Sequence, residues 1–222
     1  MTQRVNDYMA DPVAKKASRF GNFATLPLPD IDGALAEIAR AFDSLKADGV
    51  VLLSNYGGAY LGDARFEPLW AELNRRAAVA FIHPGHPELA LIEGMPDPMV
   101  DYPFDTTRAA VQIVLNGVLD RYPDLKIILS HAGGFVPYAA YRFAGVSALI
   151  GQGSVTADEL LAKFQRFYYD TALSSSLAAL PTLKAFAGTQ NILYGSDFPY
   201  APAAIGAAFT KHLDTYVRAQ RG

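Results

Sequence analysis

The chain has 222 residues, of which 51% are hydrophobic and 18% are charged. This composition supports a sizeable buried core and excludes a disordered chain. The net charge of −3 gives no sign of binding to nucleic acid or to an anionic membrane. Because the chain has no cysteine, disulfides and thiolate-bound zinc are excluded, and any metal site must use His and carboxylate ligands.

The N-terminal stretch, MTQRVNDYMADPVAKK, is polar and helical in character and has no apolar segment of the kind found in signal peptides. No uninterrupted apolar run approaches the roughly 20 residues that a membrane helix needs. We therefore expect a soluble, cytoplasmic protein. Since we find no linker, repeat or low-complexity segment, residues 1–222 are predicted to form a single domain.

Short apolar runs alternate with longer amphipathic stretches along the chain. The runs are Phe23 to Leu28, Val50 to Asn55, Ala78 to His83, Lys126 to His131, Phe167 to Leu173 and Ile192 to Asp197. Most of them are nearly continuous in apolar residues, which is typical of parallel strands buried on both faces.

The stretches between the runs have the apolar spacing of helices. They cover residues 31–47, 66–76, 106–122, 158–165 and 180–187. Asp30 or Asp32 is expected to cap the first of these helices, and Asp105 the third. The alternation of strands and helices predicts a parallel α/β fold, which a doubly wound sheet and a barrel both satisfy.

Polar residues favour the barrel, because His83, His131, Asp170 and Asp197 each lie at or near the C-terminal end of a different predicted strand. That face of a barrel carries the active site, assembled from several strand ends. Pro84 follows the first histidine, and two glycines follow Ala132 beside the second. Neutral imidazole and carboxylate are the ligands that a Zn²⁺ or Mn²⁺ site would use.

A single histidine after an apolar strand is more often a hydrogen-bonded structural residue than a ligand. Three polar residues at strand ends favour a shared site. His86 is either a substrate-loop residue or an exposed loop histidine, and His212 is interpreted as a surface residue of the last helical stretch. Asp170 either lines the site or caps a loop.

At these residues the sequence resembles the amidohydrolase-related proteins of the aminocarboxymuconate-semialdehyde decarboxylase branch, which includes resorcylate and 6-methylsalicylate decarboxylases. The blocks that carry the resemblance cover nearly the whole chain in family order. They are RFGNFATLPLPD, ADGVVLLSNYGG, NRRAAVAFIHP, DTTRAAVQIVLNGVLDRYPDLKIILSHAGGFVPY and NILYGSDFPYAP. The combination is specific, although FIHP alone would be weak.

The resemblance implies roles for individual residues. His83 matches a metal ligand, and Asp197 matches an aspartate of the last strand that binds metal or handles protons. His131 matches the histidine next to the metal that acts in catalysis or in polarising the bound water. Arg142 matches an arginine that in some relatives reaches the neighbouring subunit's site to hold a substrate carboxylate; a plain charge on a helix surface is the alternative.

One departure concerns the first strand of the family, which carries His-x-His or Glu-x-His and supplies two metal ligands. No such motif is present in this chain, whose first strand, FATLPL, resembles the third strand of the family barrel. The usual last helix, with its Gly-Asn-Ala segment, is also missing after Arg221. We therefore predict an incomplete (β/α)8 TIM-barrel of the metal-dependent hydrolase type, lacking its N-terminal part, with about six of the eight strands and two open edges.

Two functions follow from this sequence. The first is a metal-dependent decarboxylase or hydrolase of a small aromatic or cyclic carboxylate, impaired in this chain, with His131 and Asp197 as catalytic residues and His83 and Asp197 as ligands of Zn or Mn. The second is an inactive truncated homologue or an interaction subunit without catalysis. The resemblance also implies a homodimer, which would cover apolar surface left by the missing strands.

Overall fold

The computed structural model describes residues 1–90, 92–151 and 155–220. Six parallel strands form the main sheet, in the order β1-β2-β5-β6-β7-β8. The strands are β1 (Phe23–Thr25), β2 (Gly49–Leu53), β5 (Val79–His83), β6 (Lys126–Leu129), β7 (Tyr168–Asp170) and β8 (Ile192–Leu193). Two further strands, β3 (Asn55–Tyr56) and β4 (Ala59–Tyr60), form a small antiparallel hairpin after β2.

Helices connect the strands and cover the outside of the sheet. They are α1 (Thr2–Lys15), α2 (Ile31–Asp43), α3 (Glu67–Arg75), α4 (Asp101–Leu115), α5 (Val118–Arg121), α6 (Val136–Ile150), α7 (Ala157–Phe164), α8 (Ala179–Ala187) and α9 (Ala203–Ala219). Among the described residues, no helix combines the length and the apolar character needed to cross a membrane.

The two faces of the sheet differ in burial. Val50 and Leu52 alternate with Val51 and Leu53 along β2, and Ile82 lies between Phe81 and His83 on β5. Of these residues only Val50, Leu52 and Ile82 are completely buried. Because neighbouring residues of a strand point to opposite faces, the helix-covered face is sealed and the inner face is partly open. The prediction that both faces are buried is therefore wrong, since six strands do not close around the inner side chains.

The sheet is curved, because all six strands contribute side chains to one cavity of about 690 Å³. The edge strands supply Phe23 and Thr25 at one side and Leu193 at the other, so the two edges face a common space. This arrangement is that of a (β/α) barrel with part of its wall absent. The predicted fold class, an incomplete barrel of about six strands, is confirmed.

Helix boundaries follow local chemistry. Asp30 caps α2, since its carboxylate accepts a hydrogen bond from the Gly33 amide at 3.0 Å. The predicted helix 106–122 is divided at Asn116 and Gly117, where Gly117 takes φ +70° and ends the first segment. Asp105 does not cap this helix, because α4 begins at Asp101 and leaves Asp105 buried in its second turn.

Candidate metal centre and adjoining pocket

Three of the predicted site residues converge at the C-terminal end of the sheet. His83 is the last residue of β5, His131 follows β6 after Ser130, and Asp197 lies four positions beyond β8. The Asp197 Oδ1 atom lies 3.9 Å from His83 Nε2 and 3.8 Å from His131 Nε2. One ligand atom from each residue lies within 4.8 Å of the other two.

The separations from Asp197 to each histidine fit a single divalent cation. Two atoms that each bind an ion at about 2.1 Å can be no more than about 4.2 Å apart, and both separations to Asp197 satisfy that limit. Two imidazoles and one carboxylate are an N/O ligand set suited to zinc or manganese. His131 Nδ1 is buried and has no hydrogen-bond partner among the described residues.

The two residues that follow Ser130 adopt an unusual backbone conformation. His131 has φ +53° and Ala132 has φ +54°, so the chain makes a left-handed turn directly after β6. The Asp170 carboxylate accepts a hydrogen bond from the His131 amide at 2.7 Å and one from the Ala172 amide at 3.1 Å. Asp170 therefore anchors the turn that presents His131, and such strained conformations concentrate at functional sites.

Burial dominates the electrostatics of the site. It lowers the pKa of His131, and the neighbouring His83 acts in the same direction, against the attraction of Asp197. The His131 ring is thus neutral at neutral pH and can offer a nitrogen lone pair. Burial also raises the pKa of Asp170 to about 6, although the backbone amides of Ala172 and His131 favour its ionised form.

A pocket of about 620 Å³ adjoins the three residues and has a largely apolar wall. Met99, Tyr102, Leu173 and Tyr200 contribute to it, and the Tyr200 ring lies 6.3 Å from the His83 ring. The sequence reasoning did not single out these wall residues. Tyr200 had a usable signal, because it stands three positions after Asp197, whereas Met99 and Tyr102 belong to a segment without a strand pattern.

The remaining candidates lie apart from the three converging residues. His86 is exposed and contacts Asp97, with Nδ1 2.6 Å from the carboxylate. His212 is exposed on α9. Arg142 is exposed on α6 and lines neither of the two cavities beside His83. Within one chain, the structure does not bring Arg142 to the site, so its role in holding a substrate stays a prediction.

Comparisons with known proteins agree with this fold. The amidohydrolase family model matches residues 1–220, and the chain belongs to that family. Relatives lie in the predicted decarboxylase branch: a 6-methylsalicylic acid decarboxylase of Penicillium expansum is 45% identical over 207 residues, covering 90% of this chain. The match covers 64% of the Penicillium protein, so this chain spans less than two thirds of its length.

Solved structures show the same relationship. A crystal structure described as an amidohydrolase II superposes with a TM-score of 0.88 at 28% identity, over 96% of this chain and 69% of that one. The 5-carboxyvanillate decarboxylase from Sphingomonas paucimobilis gives a TM-score of 0.81 at 29% identity, over 93% of this chain and 64% of that one. The resemblance predicted from the sequence blocks is confirmed.

Proposed function

We propose that this chain is the larger part of a metal-dependent decarboxylase for small hydroxyaromatic carboxylates. The observation that carries the proposal is the convergence of His83, His131 and Asp197 beside a pocket with an aromatic and apolar wall. The decarboxylase relatives favour this reaction over hydrolysis. Residues 1–222 would act as one amidohydrolase-like domain.

His83 and Asp197 would hold the cation, with His131 at its side. A bound divalent cation supplies Lewis acidity toward the substrate oxygens. In decarboxylation the bond between the ring carbon and the carboxylate breaks, CO₂ leaves, and the ring carbon takes up one proton. The His131–Asp197 pair, 3.8 Å apart between Nε2 and Oδ1, would take up a proton from solvent and pass it to the ring carbon. The apolar wall, with Met99 and Leu173, would receive the aromatic ring.

We further propose that this chain alone is a weak metal binder and a poor catalyst. A catalytic zinc site usually has three protein ligands, and in this proposal His83 and Asp197 supply two, with His131 close by. The inner face of the sheet is open, with Leu53 and Leu193 exposed, and Phe198 and Tyr200 are each 83% exposed. An open site admits water, which weakens every electrostatic interaction inside it.

Metal analysis and a CO₂-release assay test the proposal. The full chain is titrated with Zn²⁺ or Mn²⁺ and then incubated with 6-methylsalicylate and 2,6-dihydroxybenzoate. We expect weak binding that disappears in His83→Ala and in Asp197→Ala but persists in His212→Ala, the matched control on exposed α9. Tight stoichiometric metal together with rapid turnover would contradict the impairment.

A chimaera separates impairment from a wrong reaction. It carries, before residue 1, the two family strands that the resemblance implies. CO₂ release by the chimaera, lost again in His131→Ala, would support the decarboxylase assignment. A chimaera that binds metal tightly and releases no CO₂ from either acid would favour the alternative, an inactive homologue or interaction subunit.

We also propose that the chain forms homodimers through the α4–α6 surface. A groove of about 670 Å³ lies between these helices, and Phe104, Leu115, Tyr138 and Phe143 contribute to its apolar lining. Tyr138 is 85% exposed, an unfavourable state for a large side chain next to other apolar residues. Arg142 lies exposed on α6, on the helix that would meet the second copy.

Sedimentation tests the dimer. We expect a concentration-dependent dimer at micromolar concentration that Leu115→Asp dissociates, because a carboxylate in the groove would be desolvated. Val217→Asp, at an exposed apolar position on α9, is the control and should leave the dimer intact. A clean monomer of the unmodified chain would remove this proposal and, with it, the support for Arg142.

A further inference from the structure

A buried polar network lies behind His83, outside the residues assigned to metal binding and proton transfer. Asp105 on α4 is fully buried. Its carboxylate accepts hydrogen bonds from the Ser54 hydroxyl, from Asn55 Nδ2 at 2.8 Å and from the Tyr60 hydroxyl at 2.6 Å. A buried carboxylate with three donors is strongly held, and it in turn fixes the orientation of each donor.

Ser54 connects this carboxylate to the backbone around His83. Its amide donates to the His83 carbonyl at 2.9 Å, and its hydroxyl oxygen accepts from the Gly85 amide at 2.6 Å. Because the hydroxyl proton points to Asp105, the oxygen lone pairs remain free for the Gly85 N–H. Ser54 thus holds the backbone on both sides of Pro84, with its main-chain amide at His83 and its hydroxyl at Gly85.

The peptide group between Pro84 and Gly85 determines the tautomer of the His83 ring. The Gly85 N–H and the Pro84 carbonyl belong to the same planar peptide group, so fixing one fixes the direction of the other. The Pro84 oxygen lies 3.1 Å from His83 Nδ1. A carbonyl can only accept, so the proton in this contact is on Nδ1, which leaves the Nε2 lone pair free on the side of Asp197.

We propose that Asp105, acting through Ser54, is a positioning residue that selects the Nδ1-protonated tautomer of His83 and orients its Nε2 toward the cation. The inference rests on the proposed metal site. A metal-bound histidine needs a partner for its other ring nitrogen, and here that partner is a backbone carbonyl held in place by a buried carboxylate. The residues are far apart in sequence, and only the fold joins them.

The experiment compares Ser54→Ala and Asp105→Asn with Tyr60→Phe in the full chain. Tyr60→Phe is the matched control, because it removes a hydrogen bond to the same carboxylate without touching the Gly85 amide. Long-range ¹H–¹⁵N correlations report the tautomer of each imidazole in metal-free protein, and the chain has only 4 histidines to assign. Calorimetric titration with Zn²⁺ alone reports affinity, and thermal unfolding is recorded alongside.

We expect a single Nδ1-protonated tautomer of His83 in the unmodified chain and in Tyr60→Phe. Ser54→Ala and Asp105→Asn should give mixed tautomers and zinc affinity about 10- to 100-fold weaker, the usual effect of losing such a supporting contact. Ser54→Cys keeps the volume with a poor hydrogen-bond acceptor, and it gives the same readout if the alanine variant fails to fold.

A tautomer and an affinity that are unchanged in Ser54→Ala, Ser54→Cys and Asp105→Asn would overturn the inference. The inference would also be overturned if Tyr60→Phe lowered the zinc affinity as much as the Ser54 and Asp105 substitutions do. The network would then affect zinc binding only through the stability of the fold. Because the tautomer of His83 is measured in metal-free protein, this readout tests the role of Asp105 and Ser54 independently of the metal site. If His83→Ala leaves zinc binding intact while the tautomer responds as expected, the metal site is wrong and the positioning network stands.

Discussion

The two edges of the sheet are finished in different ways. At β1, the Asn6 side chain of α1 donates to the Thr25 carbonyl at 3.0 Å and accepts from the Thr25 amide at 2.9 Å. One amide therefore replaces the hydrogen bonds of a neighbouring strand. Asn6 is itself buried and also donates to Glu37 at 2.6 Å. The predicted open edge is thus wrong at this position.

At the other edge, β8 has only two residues, and Leu193 is 36% exposed. The adjacent α9 contributes no buried residue over its 17 positions. The β1 edge is therefore covered by a buried side chain that satisfies the Thr25 backbone groups, whereas the helix next to β8 buries none of its own residues. The two site residues differ in their support: His83 ends the central strand β5, whereas Asp197 follows β8, the weakly packed edge strand.

The largest contrast should come from Trp70→Ala on the β1 side. Trp70 is completely buried on α3, and its indole N–H donates to the Leu61 carbonyl at 2.8 Å. Removing it leaves a cavity and an unpaired carbonyl, so we expect a loss of about 3 to 5 kcal/mol in the free energy of unfolding. Urea denaturation measures the loss. A loss of less than about 1 kcal/mol in the free energy of unfolding would mean that the β1 side of the sheet is packed no better than α9.

Asn6→Ala should have the next largest effect, because it leaves the Thr25 amide and carbonyl without their partner at the edge. We expect a loss of about 1 to 3 kcal/mol in the free energy of unfolding. Asp11→Asn, on the exposed part of the same helix, is the control. If both substitutions cost the same, the amide does not close the edge.

Glu37 makes the stability of the β1 side of the sheet depend on pH. Hydrogen bonding to Arg40 lowers the pKa of Glu37 against the opposing effect of burial, and Asn6 acts in the same direction as Arg40. A lowered pKa in the folded state stabilises the fold above the unfolded value of about 4.3, and this stabilisation is lost as the pH falls through the folded pKa. We expect Glu37→Gln to be less stable than the unmodified chain at pH 7, with a difference that shrinks below about pH 4.

The smallest effect should come from Val217→Ala on α9. Val217 is exposed, and we expect a change within about 0.5 kcal/mol. Amide hydrogen exchange extends the comparison, since α9 and β8 should exchange well before β2 and β5. If the amides at both edges of the sheet were equally protected against exchange, the high exposure of α9 would not indicate low local stability.

The sequence predicted the six strands because buried parallel strands are nearly continuous in apolar residues. Five of the six strands were predicted too long at the C-terminal end, because the sequence pattern continues past the last paired residue, as it does at Ser130 and Tyr194. The run that ends at His83 stops where β5 stops. The β3–β4 hairpin was missed, although Gly57 and Gly58 are a recognised hairpin signal. The bounds of α6 were not predicted, because its mixed exposed and buried apolar positions give a weak periodicity.

The candidate site was only partly accessible to sequence reasoning. His83, His131 and Asp197 could be proposed because each follows an apolar run. Asp105 was interpreted as a helix cap, since nothing in one sequence shows that Ser54, 51 residues earlier, donates to it. Long-range polar contacts have no local pattern, so such a network becomes visible only after folding.

The left-handed backbone at two site residues has a consequence for how freely those positions can vary. His131 and Asp197 have φ values of +53° and +58°, and histidine and aspartate belong to the few non-glycine residues that tolerate this region. In a library with every amino acid at these two positions, selection for folding and selection for activity would therefore retain some of the same residue types. At Ala132, which shares the turn without a polar side chain, glycine should be enriched, so sequence drift there would record backbone strain alone.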